Sequence, residues 1–388
     1  MPKAVLLEAV RTPIGRFKGG LSKFSARDLG VKVVSELIRR VPQAAESDGV
    51  ILGQVVQAGQ GQNPARQVAA ESGVKLTTPA ITLNSVCIAS MDAVADAARR
   101  VERKEGDMFI VGGIESMTNA PHVSSVRKGT HSGSIEFTDA LINEGLWCAL
   151  SDESMGVLSD RANHELGVSR EEQDVYAVQS QNRAEKSQKE GLLAEEIVEI
   201  NDGNSRIEHD ECVRPGTNPQ KLQNLRPAFT PDGTITAGNA SQLSDGASGG
   251  LVTSLEYCDR VGRTPLAHIV DWANVAGPDT TLHLKPARAI RKLLERNELQ
   301  LSDIDLFEIN EAFAGVVVAT QRDLDLPNDV INVNGGAIAL GHPLGASGFR
   351  LVLTLAKELK RRGGGRGIAT LCGGGGQGMA LLIEVEDS

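Results

Sequence analysis

The sequence predicts an α/β protein built from two similar halves with a long insertion between them. Two segments, one near each end of the 388 residues, follow the same order: a strand, a turn of small residues, a helix, and a strand that runs into consecutive glycines. The middle of the chain is polar and rich in turns. An internal repeat of this kind indicates duplicated supersecondary units, and long insertions in such folds commonly form ligand-binding loops.

The elements of the first half follow in order along the chain. Residues 4–10 form a predicted strand, and Ser25 with Asp28 makes a capping box for a helix whose buried stripe lies within residues 29–38. Residues 78–84 are extended, and apolar residues at helical spacing follow from 88 to 101. We expect the next strand, residues 108–111, to end at the two glycines behind it.

The second half repeats this plan. Residues 304–309 and 330–333 are predicted strands, and a helix is expected from about residue 348 to residue 362. A last strand, residues 367–371, runs into a cysteine and four glycines. The middle of the chain contains one predicted helix, from the capping box Ser169/Glu172 to Gly191.

Composition excludes several classes of function. The formal charge of −10 argues against nonspecific binding to nucleic acids or anionic membranes. We find no leader and no apolar stretch long enough to span a bilayer, so we expect a cytoplasmic protein. Five widely spaced cysteines argue against a disulfide scaffold, and neither a C-x-x-C pair nor paired histidines predict a metal site. The unusual feature is 42 glycines, which indicates close approach of backbones to one another or to a ligand.

Two cysteines lie in positions suited to chemistry. Cys87 stands where a strand gives way to a helix of small residues, and backbone N–H groups there would favour a thiolate or an oxyanion. The alternative is a buried cysteine that fills space beside alanines. Cys372 precedes four glycines, which indicates close approach of a ligand or, alternatively, a glycine hinge with an incidental cysteine.

Two polar residues of the second half are further candidates. His342 lies on a glycine-dense turn before a helix, which suits a general base, although a lone histidine is more often structural. Asn310 follows an apolar strand, where it can position a water or donate to an oxyanion; capping the next helix is the structural alternative.

Together these segments resemble the thiolase family, especially its short acetyl-CoA C-acetyltransferases. The likeness covers essentially the whole chain, and its nine motifs occur in the family's order: residues 9–17, 61–67, the Cys87 segment, 112–122, 225–229, 237–241, 310–313, 341–348 and 372–375. The resemblance implies the thiolase fold, with five-layered α-β-α-β-α halves and an inserted loop domain. We expect residues 1–116 with 244–265 to form one half, 117–243 the loop domain and 266–388 the other half.

The resemblance implies a two-step acyl transfer. Cys87 would attack an acyl-CoA while His342 accepts its proton, and Cys372 would take the α-proton of a second acetyl-CoA. One oxyanion would be held by His342 with a water on Asn310, and the other by the N–H groups of Cys87 and Gly374. The residues implied for CoA binding are Arg214, Ser241, Met155, Leu225, Ala312 and Phe313. Coenzyme A is thus expected as a substrate and product, with no separate cofactor, and the family implies a homodimer or homotetramer.

The chain departs from the family pattern at three places. Ser90 replaces a common glycine behind the nucleophile, Ser154 replaces a histidine of the acetoacetyl-forming members, and residues 282–286 replace a Met-Gly-x-Gly-Pro loop. The last two changes lie where acyl and pantetheine groups pass. A 3-ketoacyl-CoA thiolase for longer chains in fatty-acid β-oxidation is therefore the alternative function.

Other functions were weighed against this one. A β-ketoacyl synthase would pair its cysteine with two histidines, but Cys372 occupies the second position. A non-catalytic lipid carrier with this fold would be favoured if Cys87, His342 or Cys372 were replaced, and all three are present. A regulatory disulfide between the two cysteines would add control to catalysis and would not replace it.

Overall fold

The computed structural model describes residues 3–127, 129, 132–201, 203 and 206–386. The strands, numbered in chain order, are β1 Ala4–Arg11, β2 Gly15–Arg16, β3 Gly49–Gly53, β4 Ala80–Leu83, β5 Met108–Ser116, β6 His122–Val123, β7 Thr138–Asp139, β8 Trp147–Cys148, β9 Glu153–Ser154, β10 Ile200–Asn201, β11 Arg206–Ile207, β12 Ser244–Ser254, β13 Ala267–Ala276, β14 Leu306–Ile309, β15 Gly365–Gly373 and β16 Gln377–Val385. The α-helices are α1 Ala26–Arg40, α2 Pro64–Glu71, α3 Ala89–Glu102, α4 Met155–Glu165, α5 Arg170–Lys189, α6 Pro219–Gln223, α7 Leu255–Val261, α8 Lys285–Arg296, α9 Ala314–Leu324, α10 Ala337–Leu340 and α11 Leu344–Arg361.

The large sheet repeats the same plan on both sides of its centre. Its order is β14-β15-β16-β13-β1-β12-β5-β3-β4, and β2 pairs with β12. The halves meet where β1 pairs with β13 through Val5↔His268 and Leu6↔Ala267. From this junction outwards, each half has antiparallel strands first and parallel strands at its edge. The two similar halves predicted from sequence are therefore present.

Helices cover the sheet in three layers. α1 and α2 pack on the first half, and α8 and α9 pack on the second. α3 and α11 contact each other and strands of both halves, so they form a shared middle layer. The three helical layers and the two halves of the sheet between them make five layers, which extend through both halves of the protein taken together. Both predicted capping boxes, at Ser25 and at Ser169, are formed.

The insertion between the halves is tied to the sheet by a buried ion network. The Arg11 guanidinium at the end of β1 donates to Glu196 at 2.8 Å and to Asp210 at 2.7 and 2.9 Å. All three residues are buried, so removing one partner would leave a buried charge uncompensated at a cost of about 3–5 kcal/mol. The loops above the site are thereby held to the first strand.

The predicted strand at residues 330–333 is wrong. The chain makes a short 3-10 turn at Asn328–Val330, and only Ile331 forms a bridge, to Phe307. Asn332 adopts a left-handed conformation with φ 44°, which turns the backbone out of the strand. Its side chain instead bonds the N–H and the carbonyl of Ile309 at the end of β14.

The glycines of the two halves stop fewer elements than the sequence predicts. β5 continues through Gly112 and Gly113 to Ser116, and α11 begins at Leu344 rather than near residue 348. A Cβ on Gly113 would lie 1.9 Å from the carbonyl oxygen of Gly345, so Gly113 allows the close approach of β5 to α11. The insertion also contains helices α4 and α6, which the sequence did not predict.

The division into residues 1–116 with 244–265, 117–243 and 266–388 stays a prediction, and residues 1, 2, 387 and 388 lie outside the described part. Within the described residues, no helix is long and apolar enough to cross a membrane.

Candidate active site

One pocket contains the reactive groups predicted from both halves. It lies between the middle helical layer and the insertion. Its lining is Val86, Cys87, Gly145, Leu146, Met155, Ser241, Leu282, Ala312, Phe313, His342, Leu344, Cys372 and Gly374. The apolar walls would exclude water from the thiols and the imidazole, which strengthens electrostatic effects inside the pocket.

Cys87 precedes the first turn of α3, and its sulfur receives the backbone N–H groups of Cys87 and Gly374. Burial nevertheless dominates and raises the pKa of the thiol to about 12, and the Glu115 carboxyl acts in the same direction. The thiolate expected at this helix start is therefore not the resting form. A base that accepts the proton during attack is needed.

His342 can supply that base. Its Nδ1 lies 2.6 Å from Ser347 Oγ, and this hydroxyl donates its own proton to the Pro343 carbonyl at 2.8 Å. Ser347 Oγ therefore accepts the Nδ1–H, which leaves Nε2 unprotonated and able to accept a proton. Burial, assisted by the charge of Arg350, lowers the pKa of His342 to about 3, so the imidazole is neutral at rest.

Asn310 faces the imidazole and does not cap a helix. Its Nδ2 lies 3.3 Å from His342 Nε2, whereas α9 begins after Phe313 as N-cap. Asn310 Oδ1 is buried without a hydrogen-bond partner among the described residues, which leaves this amide able to bind a further polar group in the pocket. Asn310 therefore does not cap the next helix, which was the structural alternative for this residue.

Glu311 fixes the chain beside Asn310. Its carboxylate accepts from Tyr176 Oη at 2.7 Å, Ser180 Oγ at 2.6 Å, Asn332 Nδ2 at 3.0 Å and the N–H of Ile338 at 2.9 Å. These donors come from α5 and from the turn before His342. The network therefore couples the insertion to the polar side of the pocket.

Cys372 enters the same pocket from the end of β15. Burial raises the pKa of this thiol well above its ordinary value, and the neighbouring Cys87 sulfur adds to the effect. Gly374, two residues on, also lines the pocket, and its N–H points to the Cys87 sulfur. One glycine loop thus brings a second thiol and a backbone donor to the first thiol.

Glu115 on β5 ties the segment after β3 to the first turn of α11, beside the pocket residue Leu344. Its carboxylate accepts the N–H groups of Val55 at 3.0 Å and Val56 at 3.2 Å, and that of Gly345 at 2.9 Å. Gly345 lies in the first turn of α11, three residues after His342. Burial raises the pKa of Glu115 to about 7 against these three donors.

The residues predicted to bind CoA separate into three places. Met155, Ser241, Ala312 and Phe313 line the pocket. Arg214 lines an open groove on the insertion that shares Ser241 with the pocket; its guanidinium donates to the Ala237 carbonyl and to Gln242 Oε1. Leu225 lines neither, and its side chain packs beside Gly238 and the α8–α9 cluster.

Two of the three departures from the family pattern serve as structural contacts. Ser90 Oγ accepts the N–H of Phe349 at 2.9 Å, which ties α3 to α11. Ser154 is the N-cap of α4 and accepts the N–H of Val157 at 3.2 Å. Ser347 and Glu311 are the supporting residues that the sequence reasoning missed, although both lie inside motifs that it singled out.

Comparison with known proteins places the chain among enzymes of one family. Residues 4–256 match the family model "Thiolase, N-terminal domain", and residues 263–385 match "Thiolase, C-terminal domain". A probable acetyl-CoA acetyltransferase of Mycobacterium tuberculosis is 43% identical over 99% of this chain and 100% of its own. The acetyl-CoA acetyltransferase of Paracoccus denitrificans is 42% identical with the same coverage. The crystal structure of the Bacillus anthracis acetyl-CoA acetyltransferase superposes with a TM-score of 0.95 at 36% identity, covering 99% of both chains.

Proposed function

The chain belongs to the thiolase family, and on that premise we propose that it catalyses the reversible condensation of two acetyl-CoA molecules to acetoacetyl-CoA and CoA. The observation that carries this proposal is the single pocket that contains Cys87, His342, Cys372 and Gly374. The names of the full-length relatives, acetyl-CoA acetyltransferases, support the acetyl substrate.

The first step acylates Cys87. Its sulfur attacks the thioester carbonyl carbon as the S–H proton passes to the unprotonated Nε2 of His342. The C–S bond to CoA then breaks. The departing CoA thiolate takes the proton back from the imidazolium. Both groups start neutral, because burial raises the pKa of Cys87 to about 12 and lowers that of His342 to about 3. The N–H groups of Cys87 and Gly374, aimed at the sulfur at rest, are suited to hold the oxyanion.

The second step forms the carbon–carbon bond. The Cys372 thiolate removes an α-proton from a second acetyl-CoA, and the enolate carbon attacks the acetyl group on Cys87. The C–S bond to Cys87 breaks, and the departing Cys87 sulfur takes up the proton that Cys372 removed, which restores the Cys87 thiol and the Cys372 thiolate. We propose that the enolate oxygen is stabilised by a water bound to Asn310, whose buried Oδ1 has no hydrogen-bond partner among the described residues.

Coenzyme A would enter from the insertion. The groove that contains Arg214 adjoins the pocket at Ser241, so a pantetheine arm can pass from one to the other while the guanidinium remains near the anionic end. We propose CoA as substrate and product with no resident cofactor. Cytoplasmic localisation stays a prediction from the sequence.

The proposal is tested by thiolysis of acetoacetyl-CoA with added CoA, alongside 3-ketohexanoyl-CoA. We expect acetoacetyl-CoA to be the better substrate by at least about tenfold in kcat/KM, in line with the names of the full-length relatives. A preference for the longer substrate would favour a 3-ketoacyl-CoA thiolase of fatty-acid breakdown. Turnover of neither substrate would contradict the proposed function.

We further propose that the protein is a homo-oligomer in which β4 pairs with a second copy. β4 is an edge strand of the large sheet, and Ile81 on it and Leu76 before it are 36% and 71% exposed. Such edges favour strand pairing. Light scattering should give two or four times the 41.1 kDa of one chain. Ile81→Lys should lower that mass, and Val261→Lys, at an exposed position on α7, should not. A monomeric wild type would contradict this proposal.

A further inference from the structure

Val86, the residue before Cys87, has a backbone conformation that disfavours its own side chain. Its φ is 55°, in the left-handed region. Among the eight residues other than glycine that have a positive φ in the part of the chain the structure describes, Val86 alone is β-branched. A branched Cβ crowds the backbone in this conformation, so the position is strained. Such strain persists only where the surrounding structure imposes it, and it concentrates at functional sites.

Hydrogen bonds on both sides of Val86 impose this conformation. Asn84 Oδ1 accepts the Val86 N–H at 3.0 Å, and Asn84 Nδ2 donates to the Val55 carbonyl at 3.2 Å. The Val86 carbonyl accepts the N–H of Ala89, the first residue of α3, at 3.0 Å. The strained residue is therefore bonded through its N–H to the segment after β4 and through its carbonyl to the helix that follows.

A second set of bonds ties the same turn to the other half of the protein. Ser85 Oγ donates to Asp92 Oδ2 in α3, and Asp92 Oδ1 accepts from Asn274 Nδ2 of β13 at 2.8 Å. A change of φ at Val86 rotates the chain on one side of it relative to the other. It therefore cannot occur while these bonds and those of Asn84 remain.

The Val86 side chain contacts the glycine loop that supplies the second donor to Cys87. A Cβ on Gly374 would lie 3.2 Å from Val86 Cγ1, so the valine packs closely against the loop, and both residues line the pocket. The Cys87 sulfur receives the N–H groups of Cys87 and Gly374. Val86 thus adjoins both donors, one through its backbone and the other through its side chain.

We propose that Val86 is a positioning residue for the nucleophile: its strained backbone fixes the place at which Cys87 leaves the turn, and its branched side chain holds the Gly374 donor at the sulfur. The inference rests on the proposed function. Strain lowers the stability of the resting enzyme. Relief of this strain should therefore leave stability intact while catalysis falls, whereas loss of a residue that serves only the fold lowers both.

The experiment compares wild type with Val86→Gly, because glycine adopts this φ without strain but does not confine the chain to it. In single-turnover measurements, the maximal rate of Cys87 acetylation by acetyl-CoA should fall about 10–100-fold, since a displacement of about 1 Å can cost about 10² in rate. The acetyl-CoA concentration that gives half this rate should stay within about threefold of wild type. The melting temperature should rise or stay within about 2 °C, because relief of strain offsets the lost side-chain contacts and the greater chain entropy of glycine.

Two matched variants make the result decisive. Val86→Thr keeps the branched shape and the strained backbone, so its acetylation rate should stay within about threefold of wild type. Val198→Gly makes the glycine change at another partly buried valine, which has no positive φ and packs on the α1 side. It should lower the melting temperature by several degrees and leave the acetylation rate unchanged.

The proposal is overturned if Val86→Gly acetylates at the wild-type rate, or if it loses stability as Val198→Gly does. A loss of rate in Val86→Thr as large as that in Val86→Gly would also overturn it. A wild type that does not acetylate Cys87 would instead contradict the proposed function.

Discussion

Replacing Cys87 by alanine should lower kcat/KM for thiolysis of acetoacetyl-CoA by about 10⁴–10⁶-fold, the loss typical of a removed covalent nucleophile. The physical reason is that the N–H groups of Cys87 and Gly374 both point to this sulfur. In addition, His342 lines the same pocket and has an unprotonated Nε2 that can accept the thiol proton. No other group receives both backbone donors among the described contacts. Alanine should keep the fold, because the substitution removes only the sulfur atom.

Thiolysis is monitored through the loss of the 3-ketoacyl-CoA absorbance. In a second measurement, enzyme mixed with acetyl-CoA is analysed by mass spectrometry. Wild type should gain one acetyl group, and Cys87→Ala should gain none. Cys258→Ala, which removes a buried thiol from the core on the α1 side, is the matched control and should retain both activity and acetylation. Acetylation of the Cys87→Ala protein at Cys372 would show that our scheme assigns the nucleophile to the wrong cysteine.

The neutral resting pair of Cys87 and His342 has a consequence for pH. An ion pair formed in advance would make acylation depend on two titrations near neutrality. Here burial places the pKa of the thiol at about 12 and that of the imidazole at about 3. Neither group titrates between these values, so the Cys87–His342 pair itself should add no pH dependence to acylation across the neutral range.

Local sequence signals predicted the elements of the fold where the cause is local. The capping boxes at Ser25 and Ser169 depend on residues three positions apart, and both helices begin there. The signals failed where distant contacts decide. The backbone continues as a strand through Gly112 because β12 packs against it. Residues around Asn332 do not form the predicted strand, because the Asn332 side chain instead bonds the backbone of Ile309.

The same distinction applies to the site. Cys87, His342 and Cys372 could be proposed from glycine-rich surroundings and from family motifs, because those patterns are written in consecutive residues. Glu311 acts through partners that lie elsewhere in the chain, such as Tyr176. The role of Ser347 depends on the tautomer of His342. No local pattern therefore indicates the role of either residue. The thiolate expected for Cys87 was wrong for a related reason: the helix start is visible in sequence, but the depth of burial is not.

Replacing Cys372 by alanine separates the two steps. Cys87, His342 and the donor N–H groups remain, so the enzyme should still take one acetyl group from acetyl-CoA at about the wild-type rate. Condensation should fall about 10²–10⁴-fold, the usual contribution of a general base. Hydrogen exchange from the acetyl methyl group into solvent should be lost together with condensation, because both need the base that removes the α-proton.

The control for this variant is Cys148→Ala, since Cys148 belongs to the same hydrophobic cluster as Cys372 but does not line the pocket. It should retain exchange and condensation. If Cys372→Ala still exchanges the methyl hydrogens at the wild-type rate, another group removes the proton. His342 would then be the next candidate, because its Nε2 is an unprotonated nitrogen in the same pocket. Loss of acetylation along with condensation would mean instead that Cys372 holds the glycine loop, and with it the Gly374 donor, in place for the first step.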